Sequence, residues 1–155
     1  MANTYTQLNI HAVFAVKGRE NVITHHFKEQ LFRYFYGILK NNQQYPLAIN
    51  GTSDHVHLFF ELHPATALSD IIRVIKNCSS KWINENRFVP GHFYWQEGYG
   101  AFSYSRSQRD RVIRYIMNQE QHHRQQSFQD EYFALLRKHK IEFDERYVFD
   151  DEIVA

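Results

Sequence analysis

The segment Asp54-His55-Val56-His57-Leu58 sets two imidazoles one residue apart, inside a run from His55 to Leu62 that is rich in β-forming residues and stopped by Pro64. Side chains alternate between the two faces of a strand. His55, His57, Phe59 and Glu61 therefore share one side, and Val56, Leu58, Phe60 and Leu62 share the other. Two neutral imidazoles on a rigid backbone suit a divalent metal. With ten histidines in the chain, the pair taken alone also fits ordinary packing. A histidine-triad nucleotide hydrolase would need a third histidine where Phe59 stands. A metallo-β-lactamase-type centre would follow His57 with Asp and His, and Leu58-Phe59-Phe60 is there instead.

A second chemical group lies on a helix predicted to start near Ser107 and run to about Gln125. Val112, Ile113, Ile116 and Met117 make its apolar arc, while Tyr115 falls on the polar side with Arg111, Asn118, Gln119 and His122. A phenol with an ordinary pKa of about 10 is a poor nucleophile until a cation makes its target electrophilic. Given that help, attack on a phosphodiester yields a phosphotyrosine and a 3′-hydroxyl, and another 3′-hydroxyl can reverse the step. By position alone Tyr115 also reads as a half-buried tyrosine. The chain has neither GxxxxGK[ST] nor GxGxxG, so no nucleotide cofactor is expected.

These groups need elements to hold them. Residues 5–16 read as a strand with Leu8, Ile10, Ala12 and Phe14 on one face, and Phe27, Leu31, Phe35 and Ile38 or Leu39 mark a helix over about 25–41. Strands follow at 45–51 and 55–62. Thr66 is placed to cap a helix with Leu68, Ile71 or Ile72, Ile75 and Trp82 inward, and residues 99–105 make a fourth strand. Ser107 with Asp110 and Ser127 with Asp130 resemble capping boxes of two further helices, the second ending near Lys140. The order β-α-β-β-α-β plus two C-terminal helices predicts an α+β fold, a ferredoxin-like or RRM-like antiparallel sheet with both inner helices on one face and the other face left for chemistry. Trp82 reads as core, the place of Trp95 is open, and 142–155 is expected to lie extended along the body or a partner subunit.

A length of 155 residues fits one domain spanning 1–155. The formal charge of +1 conceals an uneven distribution: residues 1–141 carry 17 Lys and Arg against 11 acids, and residues 142–155 carry one Arg against six. A basic body suits a polyanion, although solvated helix faces give the same pattern. The single cysteine, the absence of a signal-like N-terminus and the absence of a long apolar run predict a soluble, cytoplasmic protein with no membrane contact.

Together, the Asp54-to-Leu58 motif, the stretch Trp95-Gln96-Glu97-Gly98-Tyr99-Gly100-Ala101-Phe102-Ser103, the motif Tyr115-Ile116-Met117-Asn118-Gln119, and the run from His122-His123 through Ser127-Phe128 to Glu131-Tyr132 resemble the HUH single-tyrosine transposases. These are small insertion-sequence transposases and the related REP-associated tyrosine transposases. The resemblance implies that His55 and His57 hold a divalent metal, Mg²⁺ or Mn²⁺, with Gln119 as third protein ligand, and that Tyr115 is the nucleophile. It further implies a homodimer acting on single-stranded DNA with hairpin ends, cleaving and transferring strands through a 5′-phosphotyrosine. Lys17, Arg19, Lys76, Lys81 and Arg106 are the candidate DNA contacts. Two other roles stay open: a domesticated REP-associated nuclease, and a non-catalytic RRM-like module, which would need stacking aromatics on its sheet face.

Overall fold

The computed structural model describes residues 3–123, without the His122 side chain, and residues 126–149. Four strands, β1 (Asn9–Ala15), β2 (Tyr45–Gly51), β3 (His55–Glu61) and β4 (Gly100–Tyr104), pair antiparallel in the order β2-β3-β1-β4. Helix α1 (Lys28–Asn41) follows β1 and α2 (Leu68–Glu85) follows β3, which completes the expected β-α-β-β-α-β order. β2 is an edge strand, the one place in a sheet where Pro46 costs no ladder bond, and its register slips between Pro46 and Ala48.

One face of the sheet is apolar throughout. Ala12 and Phe14 of β1 and Val56, Leu58 and Phe60 of β3 pack under Leu31, Phe35 and Leu39 of α1 and Ile71, Ile72 and Ile75 of α2. Burial of each large side chain here contributes about 1.5–3 kcal/mol, so this layer supplies most of the driving force for folding. Trp95 belongs to the same core: its Nε1 donates to Ser79 Oγ at 2.8 Å, which excludes it as an exposed base-stacking platform. Trp82 is half-buried, stacked on Tyr34.

The opposite face departs from expectation. It mixes His11, His55 and His57 with Val13, Ala15, Phe59 and Phe102, and that apolar fraction demands cover. Three helical segments provide it: α3 (Arg109–Met117), α4 (Gln119–His123) and α5 (Phe128–Lys138). The face expected to stand open is thus an interior layer. The single predicted helix from Ser107 breaks at Asn118, giving three C-terminal segments rather than two, and its expected end near Gln125 lies outside the described residues.

Capping differs in two of three places. Ser105 and Gln108, rather than Ser107 and Asp110, form the box before α3, with Gln108 Oε1 accepting from the Ser105 N–H at 2.9 Å. The Thr66 hydroxyl instead accepts from Gln44 Nε2 at 3.1 Å, and Ala67 precedes α2. Ser127 does cap α5, accepting from the Asp130 N–H at 3.2 Å. The tail folds against the body by coil and turn: Phe149 is buried among Phe128, Tyr132 and Phe133, and residues 150–155 lie outside the described region.

Candidate metal and nucleophile site

Strand alternation points both imidazoles of β3 toward the C-terminal helices, where His55 and His57 are fully buried. Each ring has its outer nitrogen occupied. His55 Nδ1 donates to Asp54 Oδ1 at 2.7 Å, and Thr52 Oγ1, which also donates to Asp54 Oδ1 at 3.0 Å, lies 2.9 Å from the same nitrogen. His57 Nδ1 lies 2.7 Å from Nε2 of His11, a fully buried β1 residue. Partners of this kind fix ring orientation and leave Nε2 facing inward.

Helix α3 is tied down at both ends. Arg109 donates to Asn9 Oδ1 and Glu61 Oε2, both at 2.9 Å, which binds its first turn to β1 and β3. Asn50 Nδ2 on β2 donates to the Ile116 carbonyl at 2.9 Å, satisfying one acceptor exposed by the break at Asn118. Val112 and Ile116 pack on Phe59 and Ala48. Tyr115 is thereby held with its ring 6.0 Å from that of His57, and the break turns Gln119 fully inward.

The point of convergence is a residue that the sequence reading quoted in the family-like run but gave no role. Glu131, on α5 and 2% exposed, places Oε1 at 3.1 Å from His57 Nε2, 3.1 Å from His123 Nε2 and 3.5 Å from His55 Nε2. Its Oε2 accepts from the Tyr115 hydroxyl and, at 3.3 Å, from Gln119 Nε2. Gln119 Oε1 lies 3.2 Å from His55 Nε2 and 3.1 Å from His123 Nε2. Ligand atoms of His55, His57 and Glu131 all fall within 4.8 Å of one another. Two imidazoles and a carboxylate, with a neutral amide alongside, form a donor set that suits a divalent transition metal.

The signal for Glu131 was present: Phe128, Glu131 and Leu135 recur at helical spacing, and a carboxylate in an apolar stripe must have buried partners. His11 and His123 gave no comparable local signal.

The electrostatics follow from this geometry. Burial opposes ionisation of Glu131, but hydrogen bonds from His123, His55 and His57 outweigh it and hold the carboxylate far below its usual range. Burial and the Glu131 charge raise the Tyr115 phenol. Burial works against protonating His55 too, yet its bonds to Asp54 and Glu131 raise its pKa, whereas burial takes His57 down to about 4. Burial, reinforced by His57, keeps His11 well below 6.5.

The candidate DNA contacts are spread out. Lys17 is exposed, its ammonium 5.3 Å from the Tyr94 ring, and Arg19 sits 4.4 Å from the Phe149 ring. Lys76 donates to the carbonyls of Gln96 and Gly98 at 2.7 and 2.6 Å, tying that loop to α2. Lys81 pairs with Glu85 at 3.9 Å on the outer side of α2, and Arg106 is exposed in a short turn before α3. Among the described residues, no helix is long and apolar enough to cross a membrane.

Comparison with known proteins bears on the family and the fold. A family profile described as "Transposase IS200 like" matches residues 4–119. No curated protein matches the chain significantly. Among solved structures, a protein from Deinococcus radiodurans R1 described as a candidate transposase superposes with a TM-score of 0.61 at 21% identity, covering 77% of this chain and 95% of its own. A REP-associated tyrosine transposase, solved bound to a REP hairpin, gives a TM-score of 0.56 at 14% identity over 76% of this chain and 70% of its own.

Proposed function

Because the chain belongs to the family of IS200-like transposases, we propose that it cleaves and rejoins single-stranded DNA through a covalent bond between Tyr115 and a 5′-phosphate. The observation that carries this reading is the meeting of the Tyr115 hydroxyl with the His55 and His57 pair at one carboxylate, Glu131. His55, His57 and Glu131 would hold the metal, with the Gln119 amide oxygen beside them. Of Mg²⁺ and Mn²⁺ we favour Mn²⁺, because Mg²⁺ prefers oxygen ligands to imidazole. A divalent cation bound here supplies Lewis acidity at a phosphate oxygen.

The remaining work falls to the protein's own groups. Tyr115 Oη forms a bond to phosphorus as the bond to the 3′-oxygen breaks. Glu131 Oε2 orients the phenol through the hydrogen bond it accepts, the phenol proton is released to solvent, and the departing 3′-oxygen takes a proton from solvent. Asp54 and His11 keep the two imidazoles aimed, and the α3 anchors at Arg109 and Asn50 keep the phenol in reach. Reversal by another 3′-hydroxyl completes strand transfer.

By extension from the REP-associated relative, the substrate is single-stranded DNA with hairpin ends. Lys17, Arg19, Lys76, Lys81 and Arg106 would meet its phosphates, Lys76 from α2 beside the loop it already braces. A homodimer, with the chain serving either a mobile element or dispersed repeats, completes the reading. Against the non-catalytic RRM-like alternative stands the covered sheet face: α3 and α5 occupy the surface on which such a module stacks bases.

The test incubates the protein with labelled hairpin single strands and Mn²⁺ or Mg²⁺. A denaturation-resistant protein–DNA species should form, map to Tyr115 by mass spectrometry, and vanish in Tyr115→Phe while single-strand binding persists. An adduct that survives in Tyr115→Phe would show that another residue is the nucleophile.

A further inference from the structure

The Trp95-to-Ser103 motif contains residues that strand-transfer chemistry leaves unused. The most conspicuous is Gln96, only 5% exposed, whose side-chain Oε1 has no hydrogen-bond partner among the described residues. Its backbone is fully committed: the N–H donates to the Ala15 carbonyl at 2.9 Å, and its carbonyl accepts from Lys76. The side chain is thus rigidly placed and yet unsatisfied. Buried amide oxygens seldom remain so without a donor arriving from elsewhere.

Gln96 lines a cavity of about 290 Å³ between the end of β1, residues 96–99, the start of α5 and residues 147–149. Five aromatic side chains line it: Tyr99, Phe128, Tyr132, Tyr147 and Phe149. Tyr132 is held against β4 because Gly100 has no Cβ, an atom that would fall 2.7 Å from the Tyr132 hydroxyl. Phe128 ties the cavity to the chemistry, since its ring also stacks on His55 with centroids 4.1 Å apart and planes at 22°. One aromatic ring therefore separates the cavity from the candidate metal ligands. Charge of both signs borders it: Glu97 is part of the lining, while Arg19 stands over Phe149 and Lys76 holds the carbonyls of Gln96 and Gly98.

Planar walls, one unpaired acceptor, nearby cations and a volume at the lower end of small-ligand pockets together describe a receptor for a single flat, nitrogen-rich ring attached to a phosphate chain. We propose that this cavity takes one unstacked nucleobase of the single strand, next to the phosphate being cut, with an N–H of the base donating to Gln96 Oε1 and its faces against the aromatic walls. The proposal rests on the strand-transfer reading above and adds to it a specificity site that the metal centre and nucleophile lack.

The experiment uses hairpin oligonucleotides that the wild-type chain joins covalently, each rebuilt with one abasic nucleotide at successive positions, and titrates them into Tyr115→Phe. One position flanking the cut should weaken binding about tenfold, the loss of one stacked and hydrogen-bonded base. Adding Gln96→Leu or Tyr147→Ala should erase most of the penalty at that position and at no other. Tyr147 is 65% exposed, so its replacement spares the fold even where Gln96→Leu does not. A flat abasic scan, or a penalty that persists in both variants, overturns the pocket while leaving the chemistry standing. Failure of the wild type to join any single strand removes the parent reading first, and the pocket with it.

Discussion

At the scale of single residues the decisive group is Glu131. A carboxylate at an apolar-stripe position would cost several kcal/mol were it unpaired, and here five side chains from β3, α3 and α4 meet it. If Oε1 serves a metal, Glu131→Ala should weaken Mn²⁺ binding at least about tenfold by titration calorimetry, with Glu131→Gln intermediate because its amide oxygen remains a donor. Equal affinity in all three proteins would remove Glu131 from the ligand set. The histidines make a separate statement about pH. His57, at about 4 in the fold, and His11, also depressed, prefer to be neutral there, whereas an unfolded histidine titrates near 6.5. Their contribution is complete above 6.5 and drains away as pH falls toward 4. His55, raised by Asp54 and Glu131, contributes with the opposite sign, but that contribution is already complete below 6.5 and stays constant across this window. The thermal midpoint of chelator-treated protein should therefore fall steadily between pH 6.5 and 4.5, before carboxylate protonation adds to the loss. A level midpoint there would contradict the buried, neutral assignment of His57 and His11.

At the scale of elements, what could be read from the sequence depended on the range of the interactions involved. Strand alternation and helical spacing are local, so β3, its two inward imidazoles, α1 and α2 were legible, whereas the wheel drawn for α3 was not: Met117 of the expected apolar arc is 55% exposed, while Tyr115 and Gln119, expected on the polar side, turn inward. The cover over the histidine face was not legible either, because it depends on α3 and α5 packing against a sheet whose register joins residues far apart in the chain. The buried side of Glu131 could be read from its helical spacing, but its meeting with His55 and His57 could not, for that reason, and neither could the break at Asn118, because Asn50, on a distant strand, supplies the compensating bond. The β2–β3 turn offers a direct test of how tightly an element positions the site. A Cβ at Gly51 would stand 2.4 Å from the His55 carbonyl oxygen and 3.0 Å from Val56 Cα, both backbone atoms that cannot swing aside. Gly51→Ala should cost about 1–3 kcal/mol in urea unfolding and displace His55 enough to weaken metal binding. The same change at Gly37, inside α1 with nothing within 4 Å of the new atom, should stabilise by about 0.5–1 kcal/mol through helix propensity. Equal effects at the two sites would mean that the turn is not the constraint described.

At the scale of the whole molecule the question is whether one chain suffices for one site. The phenol of Tyr115, the imidazoles of His55 and His57, the Gln119 amide and the Glu131 carboxylate all meet within a single chain, and α3 is fastened at both ends to that chain's own β1, β2 and β3. Exchanging the tyrosine helix with a partner would require releasing the Arg109 bonds to Asn9 and Glu61, the Asn50 bond to Ile116, and the packing of Val112 and Ile116 on Phe59. The partly buried Arg–carboxylate pair and that apolar contact are together worth several kcal/mol, which must be released before a swap can re-form them across two chains, so the cis arrangement is kinetically held. Mixing two inactive proteins measures the difference. Tyr115→Phe keeps the histidines and lacks the nucleophile, while His57→Ala keeps the nucleophile and lacks a histidine. In a shared arrangement a mixed pair rebuilds one intact site, and covalent adduct should return to a substantial fraction of wild type after the two are co-refolded. In the arrangement drawn here neither chain regains a complete site, and the mixture should form no more adduct than either parent alone.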